Sequence, residues 1–241
     1  MPNLKDLKNR IESVKSTRKI TKAMQMVAAA KLRRAQESAE EGRPYAERMN
    51  AVVTNLAGGM DLTENSPKLL IGRERAKTFL LIVATSERGL CGGFNSSIVK
   101  LAKIKIAELV STGNTVKIYT IGKKGREQLS REFGSYFFKH FDLSSIKNLS
   151  YEVALSISKD ILLGFNREEF DSALLFFSRF QSVLVQNPTE QRLIPASFDG
   201  VEATNSSYEY EPEKDEILEE LLPQAITTQI FTALLENAAS E

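Results

Sequence analysis

The sequence predicts an α/β protein in which a mainly parallel sheet domain is inserted between two long helices that close as an antiparallel coiled coil. Three observations carry this prediction. A heptad of apolar or small residues runs through the segment 1–58, with no proline from Asn3 until Pro44. Buried-strand runs then alternate with amphipathic stretches over 59–209, and a second helical segment occupies 210–241. An α/β domain placed between two long helices requires those helices to meet side by side and run in opposite directions.

The first helix has Asn3 as a candidate N-cap with Asp6 three residues on, and Gly58-Gly59 as a stop. Its seam reads Leu4, Leu7, Ile11, Val14, Arg18, Thr21, Gln25, Ala28, Leu32, Ala35, Ala39, Gly42, Ala46, Met49, Val53 and Leu56. The seam is apolar or small except at Arg18, Thr21 and Gln25, where the apolar side chains move to Ile20, Met24 and Val27. Continuous helix over this length spans about 80 Å, far beyond an ordinary globular helix. Pro44 is expected at most to bend it, because Ala46, Met49 and Val53 resume the pattern. Small residues from Ala28 to Ala46 let a second backbone approach closely.

Asp61–Pro67 is a polar linker. Thr78–Thr85 is a buried-strand run, followed by a glycine turn and an amphipathic helix over Asn95–Ser111; Val116–Ile121 is the next strand, then Gly122 and a short helix ending near Phe133. A further helix covers about Ser150–Gly164 and a strand Asp171–Phe177, and Val183–Val185 with Gln191–Ala196 predict a closing hairpin with Asn187-Pro188 in its turn. Strands alternating with helices make a Rossmann-like, mainly parallel sheet covered on both faces. The last helix begins with acids that suit a positive helix end, but Ala238-Ala239-Ser240-Glu241 supplies no glycine or proline stop.

Composition excludes several functions. One cysteine, Cys91, precludes an internal disulfide, and one histidine, His140, argues against a zinc site or a Cys–His dyad. No run approaches the roughly 20 apolar residues of a membrane span, and the N-terminus lacks a signal peptide's apolar stretch, so a soluble intracellular chain without direct membrane insertion is expected. Ser86-Glu-Arg-Gly-Leu-Cys-Gly-Gly-Phe-Asn95 lies between a strand and a helix, where α/β folds bind phosphates. Gly89, Gly92 and Gly93 do not have dinucleotide spacing, no phosphate-binding loop with a lysine occurs, and no acid follows the second strand to hold a ribose. They are expected to form a structural turn, with Cys91 as buried filler and His140 as a surface or edge-strand residue, and no cofactor is expected. The acid pairs Glu168-Glu169 and Glu213–Glu220 are expected on solvated faces.

Charge distribution points outward. Residues 1–34 hold ten Lys or Arg and two acids, a net of +8; residues 209–241 hold nine acids and one lysine, a net of −8. An antiparallel pair sets the acidic start of the last helix beside residues 40–56, which leaves the basic third without an internal partner. Nucleic acid is one acceptor for such a helix, but the region has no aromatic residue before Tyr45 to stack on bases, and its apolar seam demands protein.

Ile20-Thr-Lys-Ala-Met-Gln-Met-Val-Ala-Ala30, Ser86–Asn95 and Leu234-Leu-Glu-Asn-Ala-Ala-Ser-Glu241 resemble, in order and across essentially the whole chain, the γ subunit of rotary F-type ATP synthases. The resemblance implies a central-stalk rotor without catalytic residues. It turns within a ring of α and β subunits and stands, with the ε subunit, on the membrane c-ring. Rotation would drive the β sites through different conformations and couple proton flow to ATP synthesis or hydrolysis. Arg18, Lys19, Lys22 and Met24 match the segment that meets an acidic β-subunit loop, and Tyr208, Glu209 and Tyr210 match the stretch facing the c-ring and ε. Members usually continue the last helix further than this chain does, in line with its poor cap. The chain also lacks the cysteine-bearing insertion of the chloroplast type, so thiol regulation is not expected. The implied location is peripheral, on the cytoplasmic face of a bacterial inner membrane or, alternatively, the matrix face of the mitochondrial inner membrane.

Overall fold

A computed structural model describes residues 3–58, 63, 66–73, 76–196 and 214–241. Helix α1 runs unbroken over Leu4–Gly58, 55 residues including Pro44. Its start is tied by Asp6 and Leu7 N–H groups donating to the Asn3 carbonyl. Pro44 is exposed, so its ring lies on the solvent face and its missing N–H leaves no buried group unpaired. The buried residues of α1 are Ala39, Ala46, Val53 and Leu56, all positions of the heptad seam.

Helix α6, Lys214–Ser240, covers that seam in the opposite direction. Its early residues Leu218, Leu222 and Ala225 pack with Val53 and Leu56, while its late residues Leu235 and Ala239 pack with Ala39. The small residues permit the approach: a Cβ on Gly42 would lie 3.1 Å from Leu235 Cδ1.

Between the helices, after a single turn α2 (Lys68–Ile71), come β1 (Thr78–Ala84), α3 (Phe94–Ser111), β2 (Thr115–Ile121), α4 (Lys123–Phe133), β3 (Phe137–Phe141), α5 (Tyr151–Asn166), β4 (Ser172–Ser182) and β5 (Val185–Ile194). The sheet order is β3-β2-β1-β4-β5, parallel except for the antiparallel β4–β5 pair. Alternate residues divide between its faces. Leu80, Ile82, Tyr119, Leu175 and Phe177 face α5 and α6; Leu81, Val83, Ile118, Leu174 and Phe176 face α3 and α4. Each such side chain removed from water stabilises the fold by roughly 1.5–3 kcal/mol. Helix α6 is therefore shaft and sheet cover at once: Ile226, Ile230, Ala233 and Leu234 belong to the sheet core.

Two elements depart from expectation. Strand β3 forms where no strand is delimited from the sequence, although it puts His140 on an edge strand, one of the two places expected for it. The hairpin turns at Val183-Leu184, with Ser182 opposite Val185, while Asn187 and Pro188 lie inside β5. Pro188 is tolerated because β5 is an edge strand, and its partner Ser178 turns its N–H away, toward α6.

Candidate functional site

Two regions could meet a ligand or partner: the turn after β1 and the first half of α1. The turn leads from β1 to α3 at the point where strand order reverses, since β2 lies on one side of β1 and β4 on the other. Open α/β sheets bind ligands in the crevice outside that point. Here α6 occupies it. The Asn237 amide donates to the Ala84 carbonyl at the end of β1 (3.1 Å), and its oxygen accepts from Ser178 N–H in β4 (2.9 Å).

The turn itself is braced from within. Asn95 Oδ1 accepts from Ser86 N–H (2.9 Å), and Asn95 Nδ2 donates to Ser86 Oγ (2.8 Å) and to Cys91 Sγ (3.1 Å). Cys91 is partly exposed rather than buried, because Asn95 holds its sulfur at the rim of the turn. Gly92 adopts φ +57, which favours glycine; Gly93 precedes α3 with φ −86, and a Cβ on Gly89 would approach nothing closer than 3.9 Å. Among the described residues Gly122 is the most constrained glycine, since any side chain there would strike the Thr85 carbonyl. A cleft of about 650 Å³ opens beside the turn, lined in part by Lys31, Ser86, Arg88, Lys147, Asn237 and Glu241.

Titratable groups elsewhere serve the fold. His140 Nδ1 pairs with Thr120 Oγ1 at 2.9 Å. The Tyr119 hydroxyl donates to Asp160 (3.1 Å), and burial, then the charge of Asp160, raises its pKa beyond the ordinary range. Lys139 pairs with the same carboxylate at 2.6 Å. Glu216, Glu219 and Glu220 are exposed. Among the described residues no group of His, Cys, Asp and Glu is placed to hold a metal ion.

The first half of α1 is the larger surface. Every residue from Asn3 to Lys31 is exposed, the apolar seam included, with Leu4 at 77 %, Ile11 at 52 % and Val14 at 66 %. Arg18, Lys19, Lys22 and Met24 lie together on this stretch, spaced so that 18 and 22 share one face and 19 and 22 adjoin. Among the described residues none of the cations from Lys5 to Lys22 forms an ion pair; the first on this helix joins Arg33 to Glu37. Tyr208, Glu209 and Tyr210 fall outside the described residues. The role of α6 in the crevice was not evident in the sequence; the available signal was a run of polar residues, Glu236-Asn237 and Ser240, in a helix otherwise rich in Ala and Leu.

The comparisons agree with one another. The family model described as ATP synthase matches residues 3–241. The chain is 61 % identical over 241 residues to the ATP synthase gamma chain of Cereibacter sphaeroides (strain ATCC 17025 / ATH 2.4.3), covering all of this chain and 83 % of that one. It is 60 % identical over 242 residues to the ATP synthase gamma chain of Dinoroseobacter shibae, with the same coverage. In structure it resembles a chain of the Tetrahymena thermophila mitochondrial ATP synthase central stalk and c-ring, with a TM-score of 0.67, 25 % identity, and coverage of 92 % of this chain and 93 % of that one.

Proposed function

This chain belongs to the ATP synthase γ-chain family, and from that premise we propose that it is a central-stalk rotor subunit, coupling proton-driven rotation of a c-ring to conformational cycling of catalytic β subunits without itself catalysing a reaction. The observation that carries this proposal is the uncovered half of α1. A helix with a repeating apolar seam and a net of +8 over residues 1–34 is exposed along its first half and has no cover among the described residues, a surface suited to a partner that is both apolar and acidic. An acidic loop of the β subunits meets that requirement at Arg18, Lys19, Lys22 and Met24. Tyr208, Glu209 and Tyr210 are assigned to the c-ring and ε face on the family resemblance.

The division of labour follows the three segments: 1–58 and 210–241 as shaft, and 59–209 as the domain that widens it. Occupation of the sheet crevice by Asn237 supports a role without bound nucleotide. Among the described residues no helix is long and apolar enough to cross a membrane, which supports a peripheral position reached through partners. The bacterial relatives favour the cytoplasmic face of a bacterial inner membrane.

The test is reconstitution with the α and β subunits of a bacterial ATP synthase, followed by size-exclusion chromatography and an ATPase assay. A single complex containing this chain, with hydrolysis that α and β alone lack, is the expected result. Failure of the chain to enter any complex with α and β would refute the rotor assignment.

A further inference from the structure

Strand β4 outruns its neighbour. The β1–β4 ladder ends at Val83 opposite Phe176, yet β4 continues to Ser182. Beyond that point the β4 edge once paired with β1 has no strand to bond, while its other edge stays paired with β5. Four main-chain groups on this edge would be left orphaned, at a residue spacing of two, as a strand requires.

Side chains from the two shaft helices take all four. Asn237 Oδ1 accepts from Ser178 N–H at 2.9 Å, and Ser240 Oγ donates to the Ser178 carbonyl at 3.1 Å. Glu236 Oε2 accepts from Phe180 N–H at 2.8 Å, and Arg43 Nη2 donates to the Phe180 carbonyl at 3.1 Å. Arg43 Nε then donates to the other oxygen of Glu236 at 2.8 Å, closing a ring of contacts among α1, α6 and β4. Glu236, Asn237 and Ser240 are all buried. Donors and acceptors alternate as they would on a real neighbouring strand.

We propose that Arg43, Glu236, Asn237 and Ser240 form a surrogate strand that locks the sheet to the helical pair, so that the α/β domain and the shaft turn as one body. These are positioning residues: they touch no substrate, and act by fixing the angle between the domain and α1. The mechanical consequence rests on the rotor function proposed above; the lock itself does not. Apolar packing alone resists separation of the layers but allows sliding, whereas hydrogen bonds of fixed polarity to the ends of a strand resist sliding as well.

The polarity separates this lock from a simple ion pair. In the exchange Arg43→Glu with Glu236→Arg, the charges still attract. The guanidinium at 236, however, now faces the Phe180 N–H, donor against donor, and the carboxylate at 43 faces the Phe180 carbonyl, acceptor against acceptor. Hydrogen exchange of the Phe180 amide in the isolated chain reads this directly. Glu236→Ala is expected to reduce its protection about tenfold, because a buried donor loses its acceptor. The double exchange is expected to leave that loss unrepaired, and Glu236→Gln, whose amide oxygen still accepts, to restore part of it. Full protection in the double exchange, or unchanged protection in Glu236→Ala, would overturn the lock.

The mechanical role is read in a reconstituted, membrane-embedded ATP synthase by comparing ATP-driven proton pumping with ATP hydrolysis. Glu236→Gln is expected to lower protons pumped per ATP while hydrolysis and assembly persist, and Glu236→Ala to lower it further. An unchanged ratio in both variants would overturn the mechanical role. If the wild-type chain entered no complex, the rotor assignment would fall, while the exchange result would still decide the lock.

Discussion

The two halves of α1 share one heptad and one unbroken helix, yet one is core and the other is surface. From Ala39 to Leu56 the seam packs against α6, buried at Ala39, Ala46, Val53 and Leu56; from Leu4 to Ala28 the same seam is exposed. Residue size follows the division. The covered half uses Ala39, Gly42 and Ala46 beside the late residues of α6, and larger Val53 and Leu56 where Leu218, Leu222 and Ala225 of its early turns join them in one cluster. The uncovered half uses Leu, Ile and Val and carries the cations. A heptad thus states that a helix will be covered, but not by which chain.

Truncating a covered seam residue breaks the comparison most severely. Leu56→Ala is expected to destabilise the isolated chain by about 2–5 kcal/mol, since Leu56 is only 1 % exposed, whereas Val14→Ala should stay within about 0.5 kcal/mol. Urea denaturation measures both, and equal losses would show that the first half is covered in solution. Next comes overpacking: Gly42→Leu, which would press on Leu235, should cost about 1–3 kcal/mol, while Ala28→Leu in the exposed half should leave the unfolding temperature unchanged. A smaller effect on stability, within about 0.5 kcal/mol, is expected for Lys19→Glu with Lys22→Glu. That pair should instead slow association with α and β subunits and flatten its salt dependence, read by stopped-flow mixing across ionic strengths. Loss of thermal stability in the isolated chain would mean that these lysines face their own protein.

Legibility in the sequence followed the strength of periodicity. The long heptad and the runs Thr78–Ala84 and Thr115–Ile121 announce themselves because whole faces, or both faces, are apolar. Strand β3 does not, because its five residues are at best half-buried and Lys139 and His140 interrupt its apolar pattern. The hairpin was misplaced because Asn187-Pro188 has turn chemistry and Val183-Leu184 has none; pairing of β4 with β5 overrode local preference. The basic stretch 1–34 was legible, since its net of +8 can be counted in the sequence, whereas Arg18, Lys19, Lys22 and Met24 are singled out within it on the family resemblance alone. The lock at Glu236 was illegible for the opposite reason. An acid near a helix C-terminus looks like a poor cap, and only the fold brings Arg43 and Phe180 to it.

The uncovered stretch from Leu4 to Lys31 is about 42 Å of single helix projecting from a fixed root. Geometry makes it a pointer. A tilt of about 5° where α1 leaves the grip of α6 carries the Leu4 end sideways by about 4 Å, roughly the distance between neighbouring strands. A packing change too small to matter in the core therefore becomes a full side-chain displacement at the far end, and the rigidity of residues 32–43 sets the aim of everything before them.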